Sequence, residues 1–123
     1  MRFTLLVLGA PDLGGANGHA LGFGRALLDA GHELACAFFQ DSGVLTALAG
    51  CEAAQAERDL RASWQQLGVE KNAPLYACSA SALRYGLGDG SNAQRLLPGF
   101  EVRGLGELVE AQLTSDRVLT FAD

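Results

Sequence analysis

Residues 74–86 read PLYACSASALRYG, and this stretch decides the fold. A short apolar run ends at Cys78, and a helix-forming segment follows at once, with Gly86 as its stop. The order predicts a strand over 73–77 and a helix over 78–85 with no loop between them. Unpaired backbone N–H groups at the start of a helix favour the thiolate of a cysteine, which is its reactive form. Cys78 is therefore the first candidate for chemistry.

The same alternation of strand and helix runs through the rest of the chain. Apolar runs without polar alternation are typical of strands buried in a parallel sheet, and they place strands at 3–8, 33–39, 73–77, 100–103 and 117–121. Helical spacing of apolar residues places helices at 18–30, 59–67, 78–85 and 104–113, the last with Leu105, Leu108, Val109 and Leu113 inward. A short helix is predicted from a cap at Asp41 or Ser42 to Leu48. Five such alternations predict a single three-layer α/β domain over residues 1–123, with a five-stranded, mostly parallel sheet.

Composition excludes several classes of function. The chain has 123 residues, of which 49% are hydrophobic and 19% charged, which is typical of a globular domain. No apolar run approaches the roughly 20 residues of a membrane span, and residues 1–9 are predicted to form a buried strand rather than a signal peptide. The net charge is −5, and Lys and Arg form no cluster. These features argue against membrane insertion and against direct binding of nucleic acid.

The three cysteines are Cys36, Cys51 and Cys78. An odd number at irregular spacing forms neither a disulfide framework nor a paired zinc motif. Cys36 lies in an apolar strand and is predicted to be core, whereas Cys51 is predicted to be an incidental residue of a loop beside Glu52. With no export signal, reduced thiols predict a cytoplasmic location.

Other candidate residues are expected near Cys78, because ligands collect at the carboxyl ends of parallel strands. The glycine-rich loop 9–18 ends at that edge, but it lacks the spacing of a phosphate-binding motif. His19 follows this loop and could approach Cys78, while His32 is predicted at the opposite edge of the sheet. Arg84 lies on the helix that starts at Cys78. It either adds positive potential, contacts a partner or is simply solvated.

Short motifs are spread over nearly the full length of the chain. They are MRF at 1–3, AGHEL at 30–34 before FF at 38–39, WQQL at 64–67, CxxxALRxG at 78–86, GLG at 104–106 and DRV at 116–118. Together they resemble the DsrE family of small sulfur-relay proteins. The loop 9–18 and the region 86–99 depart from the family pattern, so the resemblance says least about contacts with partners.

The resemblance implies a flavodoxin-like subunit of a cytoplasmic heterohexamer that contains two copies each of three related chains. In that family the cysteine matching Cys78 accepts a persulfide sulfur from an upstream carrier and passes it to a downstream one. The relay ends in 2-thiouridine at the tRNA wobble position. Persulfide transfer needs a thiolate and an accessible sulfane sulfur, with neither metal nor redox cofactor. We therefore expect Cys78 at a mobile, partly exposed loop edge.

Three alternatives stay open at this point. A closely related complex serves dissimilatory sulfur oxidation, so the relay could lead there instead. The chain could also be a non-catalytic assembly subunit, although the presence of Cys78 favours a carrier. A flavodoxin-like ligand-binding domain is the third alternative.

Overall fold

The computed structural model describes residues 1–49, 55–86 and 95–123. The strands in this part of the chain are β1 Arg2–Val7, β2 Glu33–Phe39, β3 Leu75–Cys78, β4 Phe100–Arg103 and β5 Arg117–Phe121. The α-helices are α1 Ala16–Asp29, α2 Gln55–Glu70, α3 Ser79–Arg84 and α4 Leu105–Thr114, and a 3-10 helix covers Asp41–Ala47.

The five strands form one sheet in the order β4-β3-β2-β1-β5, and every neighbouring pair is parallel. The predicted three-layer α/β fold with a five-stranded parallel sheet is thus confirmed. Strand β1 lies second from one edge, as in flavodoxin-like sheets, with β5 as its outer neighbour. Because all strands run the same way, the segments that follow β1, β2 and β3 meet at one edge of the sheet.

The core lies on both faces of the sheet. Helices α1 and α2 cover one face, where the ring of Phe39 packs edge-on against Trp64 at 5.0 Å and against Phe100 at 5.5 Å. Helix α4 covers β1 and β2 on the other face, where the hydroxyls of Thr4 and Ser115 are hydrogen-bonded at 2.7 Å. Strands β1 and β2 are therefore covered on both faces, as their apolar runs predict.

Two glycines set the ends and the packing of the long helices. Gly31 has φ +87°, and its N–H donates to the Leu28 carbonyl at 3.1 Å, so it ends α1 as predicted. The helix predicted over 59–67 is longer in the structure, since α2 continues through Gly68 to Glu70. A Cβ at Gly68 would lie 3.1 Å from Leu75 Cδ1, so this glycine allows α2 to approach β3 closely.

The predicted burial of α4 is also wrong in part. Leu108 is buried, but Leu105, Val109 and Leu113 are 49%, 52% and 81% exposed. Helix α4 contacts β1 and β2 along one narrow side, so the remainder of its apolar stripe faces away from the chain. We call these three residues the α4 stripe.

Some predictions fall outside the described residues. Those that concern Cys51, Glu52 and most of the region 86–99 belong to this group. Within the part of the chain that the structure describes, no helix has both the length and the apolar character needed to cross a membrane.

Candidate functional site

Cys78 is the last residue of β3 and immediately precedes α3, where it occupies the N-cap position. Its extended backbone, with φ −61° and ψ 124°, carries the chain from strand to helix without a loop. Strand β3 lies between β2 and β4, and Cys78 pairs with Arg103 of β4 in the sheet register. The predicted strand–helix junction at this cysteine is confirmed.

The thiol of Cys78 is not at an exposed loop edge, however. Cys78 is 1% exposed and belongs to the main hydrophobic core, so the expectation of partial exposure is wrong. The physical reason is its position in an interior strand, with the 3-10 helix and α3 packed together over the end of β3. In this arrangement the thiol is shielded from solvent.

Asp41 connects the segment after β2 to the helix that follows Cys78. Its backbone N–H donates to Ser81 Oγ at 2.9 Å, and its carboxylate accepts from Arg84 Nη2 at 3.0 Å. Arg84 Nη2 also lies 3.2 Å from Ser81 Oγ. The sequence predicts Asp41 or Ser42 as a helix cap, but Gln40 holds that position and no side chain caps it. Arg84 is thus paired within the chain rather than simply solvated.

The loop 9–18 is anchored by one buried amide. Asn17 Nδ2 donates to the Gly9 carbonyl at 3.0 Å and to Thr46 Oγ1 at 2.8 Å, while its Oδ1 accepts from Trp64 Nε1 at 2.8 Å. Asn17 is fully buried. Its three hydrogen bonds join the loop, the 3-10 helix and α2 at the edge of the sheet where Cys78 lies. Sequence analysis missed this residue, because an asparagine among glycines is typical of a turn.

Neither histidine is hydrogen-bonded to the thiol within the described residues. His19 is exposed on α1, and the described residues show no hydrogen bond between it and Cys78. His32 lies at the amino end of β2, where its Nδ1 is 3.1 Å from the Met1 amino group and its ring packs 5.5 Å from Phe3. The predicted placement of His32 at the opposite edge is confirmed.

Cys36 is a core residue of β2 and is fully buried, as predicted. The pKa of its thiol is raised from 9.0 to about 11, chiefly because the thiol is buried and in smaller part by the Glu107 carboxylate, while Arg2 acts to lower it. A cysteine in this environment remains a neutral thiol at physiological pH and is a poor nucleophile.

The raised pKa of Cys36 predicts a loss of stability at high pH. Between pH 9.0 and about 11 the unfolded chain releases the Cys36 proton while the folded chain keeps it, so stability falls as the pH rises. We expect Cys36→Ala to reduce this slope. Urea unfolding at pH 8 and pH 10.5 measures the difference, and equal slopes for the two proteins would contradict the assignment.

Two surface cavities lie elsewhere on the chain. One of about 180 Å³ lies between α4 and the sheet, next to Arg2, Tyr76 and Glu107. The other, of about 340 Å³, lies at the amino end of β3 beside Pro74 and Gly99. Cys78 lines neither of them. Within the described residues, no group of three or more His, Cys, Asp or Glu side chains could hold a metal ion.

Comparison with known proteins gives a consistent result over nearly the whole chain. A family model described as "DsrE/DsrF-like family" matches residues 1–121. The protein "Sulfurtransferase TusD" of Klebsiella pneumoniae (strain 342) is 43% identical over 128 aligned residues, which cover 98% of this chain and 100% of that protein. The proteins of the same name from Cronobacter sakazakii and Salmonella newport are 43% and 42% identical over the same shares.

A solved structure supports the fold independently. The crystal structure of the ychN protein from E. coli superposes with a TM-score of 0.77 and covers 98% of this chain and 100% of that one. Its sequence identity is 23%, so this similarity concerns the fold alone.

Proposed function

Because the chain belongs to the DsrE/DsrF-like family, we propose that it is a sulfurtransferase that carries sulfur on Cys78. The observation that carries this proposal is the similarity to the TusD sulfurtransferases over 98% of the chain at 43% identity. The position of Cys78 at a strand–helix junction supports it, because the carboxyl edge of a parallel sheet is where chemistry collects. We take residues 1–123 as a single DsrE-like domain.

The transfer step follows from thiol chemistry. The Cys78 thiolate attacks the terminal sulfur of a donor persulfide, so one S–S bond forms on Cys78 as the donor S–S bond breaks. The donor leaves as a thiolate, and the transferred sulfur keeps its proton. In the second step an acceptor thiolate attacks the same terminal sulfur and releases Cys78 as a thiolate. Neither step changes the overall oxidation state, so the exchange needs no electron donor.

The end point that fits the TusD relatives is 2-thiouridine at the tRNA wobble position. The chain would act there in the cytoplasm, between an upstream and a downstream sulfur-carrier protein. Its formal net charge of −5 argues that it does not bind the tRNA directly. Sulfur therefore travels from protein to protein before it reaches the RNA.

The partners that fit this role are two related subunits, TusB-like and TusC-like, in a heterohexamer. The α4 stripe supports such an assembly, because Leu105, Val109 and Leu113 form an apolar helix face that the chain itself leaves uncovered. Strands β4 and β5 are the outer strands of the sheet and offer further surface to a neighbour.

The α4 stripe predicts the behaviour of the isolated chain. We expect the chain alone to self-associate and the chain co-expressed with its sister subunits to form one defined complex. Leu113→Ser should reduce both the self-association and the yield of complex, because Leu113 is 81% exposed on the stripe. Val69→Ser is the matched control, since Val69 is 79% exposed on α2. Light scattering is the measurement, and a stable monomer that ignores its sister chains would refute the prediction.

The direct test of the carrier role is intact-mass measurement after incubation with a persulfide donor. The protein should gain the mass of one sulfur atom and lose it on treatment with a reductant. Peptide mapping should place that sulfur on Cys78. Nucleoside analysis of tRNA from a strain without the chain tests the end point separately, since loss of 2-thiouridine is expected there. A protein that gains no reducible sulfur is not a carrier.

A further inference from the structure

Helix α3 is short, and most of its residues are exposed. It has six residues, of which only Ser81 and Ala82 are buried. Ala82 belongs to a small apolar cluster with Leu48, separate from the main core. Short elements with little buried apolar surface open locally at low free-energy cost. Because Cys78 directly precedes α3, such an opening would move the backbone that carries the buried thiol.

Helix α3 also packs against the 3-10 helix, β3 and β4. Within the described residues, its side-chain hydrogen bonds to other elements converge on Asp41. This residue has φ +53°, a left-handed conformation that is uncommon for residues other than glycine. In this conformation its N–H donates to Ser81 Oγ, and its carboxylate accepts from Arg84. Asp41 thus joins the segment after β2 to two residues within the six-residue helix.

We propose that Asp41, Ser81 and Arg84, the Asp41 cluster, are positioning residues that hold α3 closed over the Cys78 thiol. They set how often the thiol becomes accessible, and none of them takes part in bond making. The importance of this access for sulfur transfer rests on the proposed function. In a relay, a closed state would shield a bound sulfane sulfur from solvent thiols between transfers.

The closing experiment measures alkylation of Cys78 by iodoacetamide in the native protein, with peptide mapping to separate the cysteines. Asp41→Asn removes the charge but keeps a side chain that tolerates the left-handed conformation, and Arg84→Gln removes the partner charge. We expect each substitution to raise the rate of Cys78 alkylation about threefold. This is the size of the change in the opening equilibrium expected from the loss of one exposed ion pair. The double variant of Asp41→Asn and Arg84→Gln should react no faster than either single variant, and Arg84→Lys should stay near the wild-type rate.

Ser81→Ala should raise the rate of Cys78 alkylation about tenfold, because it leaves the Asp41 N–H without its partner.

The matched control is Lys71→Gln, which breaks the comparably exposed pair, 3.3 Å apart, between Lys71, the residue after α2, and Asp29 at the end of α1. It should leave the Cys78 rate unchanged. The rate of Cys36 alkylation reports global unfolding, because Cys36 is fully buried in the core. This rate should stay constant in every variant. An unchanged Cys78 rate in Ser81→Ala, or a parallel rise at Cys36, would overturn the proposal. The assay uses no sulfur donor, so its outcome is independent of whether the chain carries sulfur.

Discussion

Cys78→Ala is expected to abolish the reducible sulfur adduct completely, because the attacking thiolate is then absent. Alanine is the better replacement here, since Cys78 is 1% exposed and a buried serine hydroxyl without a partner would cost about 1–3 kcal/mol of stability. Loss of one sulfur atom leaves a small cavity, and the variant should remain folded at 25 °C. Intact mass after incubation with a persulfide donor gives the result, and thermal unfolding establishes that the fold is intact.

The matched control for this loss is Cys36→Ala, which removes another fully buried cysteine from the same sheet. It should gain and lose the sulfur as the wild-type chain does. A Cys78→Ala protein that still gains a reducible sulfur would remove Cys78 from its proposed role. It would then direct attention to Cys51, because the other remaining cysteine, Cys36, is fully buried in the core.

Asn17→Ala is expected to destabilise the fold by about 3 kcal/mol, because three buried polar groups lose their partners at once. The Trp64 indole N–H is left without an acceptor, and the Gly9 carbonyl and Thr46 hydroxyl lose a donor. Each unsatisfied group keeps its cost of desolvation, so the effect exceeds that of one ordinary hydrogen bond. Urea unfolding of the two proteins measures the difference.

The control for Asn17→Ala is Gln66→Ala on α2, which removes an exposed side-chain bond of the same length, 2.8 Å, to Glu70. A change within about 0.5 kcal/mol is expected there, since substitutions of exposed residues rarely do more. Trp64→Phe should show part of the Asn17 effect, because it removes the indole donor and leaves Oδ1 of Asn17 unpaired. Equal stability of Asn17→Ala and wild type would show that the buried amide contributes no net stability.

Much of the fold is predictable because local signals and tertiary structure agree. Apolar runs such as 33–39 place the buried strands within one or two residues, since a parallel strand has no exposed face to break the run. Gly31 ends α1 because its positive φ suits a residue without Cβ. The junction at Cys78 follows from the same logic, as strand and helix patterns meet there without a gap.

The wrong predictions concern contacts between elements, which the spacing of apolar residues along the sequence does not encode. The spacing of Leu105, Val109 and Leu113 marks an apolar helix face but does not tell whether the chain itself or another protein covers it. The burial of Cys78 depends on the 3-10 helix, which is far from it in sequence. Asp41 appears in sequence only as a helix cap, and its contact with Arg84 arises because the 3-10 helix and α3 meet at the sheet edge.

The order of strands in the sheet has a consequence for synthesis of the chain. Strand β1 pairs with β2 on one side and with β5 on the other, although β5 is the last strand in chain order. Pairing between segments so far apart in sequence slows folding and leaves apolar edges exposed meanwhile. During synthesis on the ribosome, the edge of β1 that pairs with β5 therefore stays unpaired until residues 117–121 have left the exit tunnel. That unpaired edge is the surface for a chaperone to shield.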